Sequence, residues 1–150
     1  MSQNDFIRSI QSILERDLQK LENEIKAYPD EQSVWLIRGE IKNSAGTLVL
    51  HVCGNLQHYI GKQLGASSYI RNRDLEFSER NTPRNQLILE IQKTKESVST
   101  ALDNLQDAIL DMDYPEQVFG HAMSTRYFLI HLVGHFNYHL GQINYHRRLT

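Results

Sequence analysis

One cysteine and three prolines in 150 residues leave this sequence with few covalent or conformational anchors. The lone thiol, Cys53, excludes an intramolecular disulfide, so the fold must rest on non-covalent burial. No apolar run is long enough to span a bilayer, and residues 1–28 lack the apolar core of a signal peptide; the expectation is a cytoplasmic location without membrane attachment. Charge of neither sign dominates, because 16 Lys and Arg against 18 Asp and Glu give a formal net charge of −2. The basic residues form no long run: Arg71, Arg73, Arg80 and Arg84 alternate with Asp74, Glu76 and Glu79. That balance argues against a nucleic-acid partner. No internal repeat or low-complexity segment is present, and the length suits a single domain over residues 1–150 that buries roughly 70% of its unfolded-chain surface.

What the sequence does have is helical periodicity. Phe6, Ile10, Ile13, Leu14, Leu18, Leu21, Ile25 and Tyr28 repeat every three or four residues and predict a first helix over residues 5–28, stopped by Pro29. A short connection containing Trp35 follows. A second helix starts at Asn43 or Ser44 and carries Leu48, Val52, Leu56, Tyr59 and Ile60 to a terminal Gly65. Residues 66–81 read as a polar linker. Thr82 and Pro83 suit the cap and first position of a third helix, which Leu87, Ile91, Val98, Leu102, Leu105 and Ile109 extend. Asp113, Tyr114, Pro115 and Gly120 mark a loop, and Ser124 or Thr125 caps a last helix holding residues 128–148. Four amphipathic helices of similar length predict an all-α four-helix bundle.

Six histidines fall on two of these helices. His131, His135 and His139 recur at every fourth position of the last one, so neighbouring pairs present two imidazoles from one surface. Spacing alone does not choose between the pairs 131/135 and 135/139. Depth favours the second, because His139, then His135, then His131 step away from the apolar arc of Phe128, Leu129, Leu132, Val133, Phe136, Leu140 and Ile143. His51, Asn55 and His58 form a matching stripe on the second helix, while Gln142 and His146 continue the first. A histidine pair plus one ligand from another helix fills three corners of a tetrahedron and leaves the fourth for water or substrate. Against this stands the plain reading, hydrogen-bonded core or rim histidines. Cys53 points away from His51 and reads as a small core residue.

The segment from His135 to Ile143 and the sequence around His51 to Asn55 resemble the DinB/YfiT-like superfamily, four-helix metalloenzymes, over nearly the whole chain. The resemblance implies a divalent metal held by His51, His135 and His139, with Gly141 and Gln142 matching the Gly-Gln pair that commonly follows the second histidine. Many members carry Arg where this sequence has Leu140. Zinc or nickel is the expected ion, with manganese or iron also compatible with imidazole. The family includes thiol S-transferases, so the implied function is a metal-dependent transferase acting with a low-molecular-weight thiol, or a hydrolase, on a small-molecule substrate. The alternative is a non-catalytic metal-binding or stress-associated interaction protein. Gln142, Asn55 and His58 are candidate groups around the ligands, orienting them or the substrate; Asn55 is equally a polar rim residue, and His58 a bond across the bundle.

Arg71 and Arg73 can either bind a substrate carboxylate at the mouth of the site or pair with Asp74 and Glu76 inside the linker; the second reading is favoured. Gly54 and Gly61, like Gly134 and Gly141, are seven apart and lie along one stripe of an ideal helix. They predict close helix approach, within the bundle or at a homodimer face, or else tolerated exposed positions. Homodimers are also what the resemblance implies.

Overall fold

A computed structural model describes residues 5–150. Residues 1–4 of the domain expected over 1–150 lie outside the described residues. Among the described residues the chain is all-helical and has no strand, the only extended pairing being a single antiparallel bridge between Asp113 and Ser124. The elements are α1 (Asp5–Lys26), α2 (Glu31–Val34), α3 (Ala45–Leu56), α4 (Arg73–Ser78), α5 (Arg84–Asp103) and α6 (Thr125–Arg148). A π-helical segment, Gln57–Lys62, continues α3, and a 3₁₀ segment, Asp107–Asp111, follows α5. Among the described residues no helix is long and apolar enough to cross a membrane.

The long helices follow their apolar periods. Ile10, Leu14, Leu18, Leu21 and Ile25 of α1 are buried, and Tyr28 just beyond its end closes the same stripe. Ser44 caps α3 by accepting from the Thr47 amide, and Ser124 caps α6 by accepting from the Tyr127 amide, each satisfying one of the N–H groups that a helix start leaves unpaired. Helix α1 packs on α5 and α6, and α3 packs on α4, α5 and α6. Their apolar side chains join one core cluster. Cys53 is fully buried there, and burial pushes its thiol up to about 12, as suits an inert core residue.

Two short helices replace stretches expected to be connections. Asp30 and Ser33 form a reciprocal capping box that nucleates α2. The third long helix also starts differently: Pro83 occupies its cap position without a side-chain bond, and Thr82 is not the cap. The Arg84 amide instead donates to Glu31 Oε1 at 2.8 Å, so a carboxylate on α2 does the capping, while the Thr82 carbonyl accepts from Trp35 Nε1 at 3.3 Å. Helix α5 ends at Asp103, short of Ile109, because the chain tightens into the 3₁₀ segment that buries Leu110. The polar linker likewise contains α4, capped by Asn72, whose Oδ1 accepts from the Leu75 amide at 3.1 Å.

The glycine stripes separate. A Cβ on Gly54 would collide with the Glu76 carboxylate of α4, and one on Gly61 would collide with Ser97 Oγ of α5. The π-helical turn between them rotates the later residues away from ideal α register, so one stripe does not serve both. Gly134 and Gly141 are exposed and would meet nothing within 4 Å. Neither of those two serves close helix approach within the bundle.

Candidate metal centre

Helix α3 brings His51 to α6 about two turns after its cap, where His135 and His139 project from the facing surface. The three residues offer ring nitrogens that all lie within 4.8 Å of one another. His51 Nε2 and His135 Nε2 are 3.3 Å apart, and the His139 ring stands edge-on to both neighbours, with centroids 5.1 Å from His51 and 4.6 Å from His135. Two nitrogens bound to one tetrahedral ion at about 2.0–2.1 Å would themselves be about 3.3 Å apart. His51 is buried, whereas His135 and His139 are half-buried, leaving one side of the cluster approachable.

Neighbouring groups decide which nitrogen carries the proton. His51 Nδ1 lies 3.2 Å from Glu76 Oε1, and Arg71 grips the same carboxylate through Nε to Oε2 at 2.8 Å and Nη2 to Oε1 at 3.0 Å. Burial draws the Glu76 carboxyl upward, but bonds from His51 and Arg71 outweigh it and hold the group below the usual carboxylate range. An ionised Glu76 only accepts, so His51 Nδ1 is the donor and its Nε2 keeps a lone pair. His139 Nδ1 meets Gln142 Oε1 at 2.7 Å, with the same consequence for His139 Nε2. Burial, with His139, His51 and His131 around it, pushes the His135 imidazole down to about 4. Burial also lowers His139, partly offset by Gln142. Neutral imidazole is the form that binds a metal.

Of the three rings, His135 carries the atom left unsatisfied among the described residues. Its Nδ1 is buried without a partner, and its Nε2 confronts the lone pair of His51 Nε2. A cation among the three can accept a lone pair from each ring, whereas a proton on His135 Nε2 bridges only to His51. The donor set therefore fits an imidazole-preferring divalent ion with an open position.

The remaining candidates divide. Gln142, though exposed, orients His139 as expected of a group behind a ligand. Asn55 is buried with Oδ1 unpartnered and makes no hydrogen bond to the three histidines. His58 turns to the 113–124 connection, where Nε2 meets Glu116 Oε1 at 2.9 Å. His131 stacks with Phe128 and meets Phe119 edge-on rather than joining the cluster; all three α6 histidines are half-buried, so the position of His51, and not depth, singles out the 135/139 pair. His146 is structural, its Nδ1 2.6 Å from the Tyr28 hydroxyl and its Nε2 2.8 Å from the Leu36 carbonyl. Arg71 is an internal ion pair, and Arg73 lies over the Phe77 ring at 5.1 Å.

Glu76 is the site residue that histidine spacing missed. Its signal was present in Asn72-Arg-Asp-Leu-Glu76, a capping residue followed by acidic side chains in the first turn. No curated protein matches the chain. A family model described as "Protein of unknown function (DUF1572)" matches residues 2–149, and the chain belongs to that family.

Proposed function

We propose that this chain is a divalent-metal-dependent enzyme of DinB/YfiT-like type, in which α1, α3, α5 and α6 form the four-helix bundle and His51, His135 and His139 hold the ion. The observation that carries this reading is the 3.3 Å approach of two Nε2 atoms from different helices, with a third imidazole completing the set. Zinc or nickel suits three neutral imidazoles, and manganese or iron is also compatible. A bound ion would supply Lewis acidity, making a nucleophile available from water or a thiol near neutral pH.

The resemblance to the DinB/YfiT-like superfamily favours transfer of a low-molecular-weight thiol over hydrolysis, and the surrounding carboxylates are compatible with it. Glu76 is committed to His51 and Arg71, and Glu116 to His58 Nε2 and Gln63 Nε2, so neither carboxylate is free to take a proton from water. A thiol, acidic near pH 8.5 on its own, needs less help. Glu76 and Gln142 contribute by fixing the His51 and His139 tautomers and ring planes before substrate arrives.

Elemental analysis of untagged protein, purified without chelator or added metal, tests the site beside His135→Ala and His139→Ala variants. Near-stoichiometric metal in the parent, lost from both folded variants, is expected. No metal, and no uptake of offered zinc or nickel, would leave a structural histidine cluster. Thiol-dependent consumption of an electrophile, abolished by His139→Ala, would then distinguish the enzyme from a non-catalytic metal binder.

A further inference from the structure

A cavity of about 500 Å³ opens directly beside the cluster, with His139 and Gln142 in its wall. Its size falls within the range of small-molecule sites. Ile41, Leu48 and Leu149 give it apolar surface, and Glu40 and Lys42, from the connection before α3, also line it. Both charged side chains are exposed, and among the described residues neither makes a hydrogen bond or ion pair.

A second groove on α6 shows why this matters. That groove is larger, about 580 Å³, but contains none of the three histidines. There Glu24 is taken up by Arg147 Nε at 2.8 Å and by the Asn144 amide at 2.8 Å, and the exposed Lys20 in its wall shares the groove with no histidine of the cluster. In the His139 cavity the charges are left open. Size alone would select the wrong groove.

We propose that the cavity bounded by Lys42, Leu48 and His139 binds a small monocarboxylate with an apolar body, its carboxylate on Lys42 and its reactive end at the histidine cluster. This rests on the metal-centre reading above. Lys42 supplies a point charge for a carboxylate, and the apolar wall removes the intervening carbon chain from water. Glu40, two residues away on the same rim, repels further negative charge and so disfavours phosphate-rich ligands such as nucleotides.

Cobalt(II)-loaded protein provides the test, because thiolate binding to cobalt produces a near-ultraviolet charge-transfer band that can be titrated without turnover. The probes are 3-mercaptopropionate and 2-mercaptoethanol, which share a thiol and differ in carboxylate against hydroxyl. The carboxylate probe should bind the parent more tightly by up to about fivefold, the upper range for one exposed ion pair. Lys42→Gln, a change at an exposed position, should abolish that preference and leave 2-mercaptoethanol binding unchanged. Equal affinities in the parent overturn the proposal, as does a preference that survives Lys42→Gln, which would reflect chelation of cobalt by the carboxylate. A parent that takes up no cobalt overturns the metal centre itself, and the proposal with it.

Discussion

At single residues, the decisive contacts lie behind the histidines. Glu76 holds His51 in one tautomer and is itself gripped by Arg71, so Glu76→Gln removes the charge while keeping a similar shape. Metal affinity should fall about 10–100-fold in a folded variant, measured by competition with a chromophoric chelator. Unchanged affinity would mean that ring contacts, such as Phe77 at 5.0 Å, suffice to orient His51. The glycines give a paired prediction. Gly54→Ala places a methyl group against the Glu76 carboxylate and should lower both thermal stability and metal affinity. Gly134→Ala enters open space on an exposed helix face and should stabilise the protein by up to about 1 kcal/mol, read from denaturant unfolding. If both variants behave alike, close approach of α4 to α3 is not what Gly54 serves.

Among the elements, short helices do the positioning. Helix α2 caps α5 from outside through Glu31, a contact between positions 53 apart in sequence. Glu31→Ala should therefore cost about 0.5–1 kcal/mol, at the lower end of cap substitutions because Glu31 is exposed, with fraying at the start of α5 visible as faster amide exchange. Helix α4 has the corresponding task at the site, carrying Glu76 to His51. The long helices were legible in sequence because an apolar stripe repeated over 20 or so residues outweighs local ambiguity. α2 and α4 were not, because helices of 4 and 6 residues present too few apolar positions to show a period. Their caps, Asp30 and Asn72, were the readable trace. The π-helical turn at Gln57–Lys62 was invisible for a different reason: it changes register without changing composition, which is why Gly54 and Gly61 face different partners.

For the whole molecule, the site is built on a scaffold that does not depend on it. The apolar core draws on α1, α3, α5 and α6, which pack on one another through it. Metal removal by a chelator should leave far-ultraviolet helicity unchanged and lower the melting temperature by an amount that grows with the free-metal concentration restored in the control. Collapse of helicity on chelation would instead mark a structural ion.

The sequence by itself determined that the chain is helical, where its long helices run, that Cys53 is buried and that His135 and His139 share a face, because each of these follows from local period, cap chemistry or composition. Tertiary structure alone decided that His51 meets that pair, that Glu76 stands behind it, that His58 and His146 serve other contacts, and that an open cavity adjoins His139. Those facts depend on how separate helices are turned and set against one another, and the period of a single helix carries no information about its neighbour's rotation.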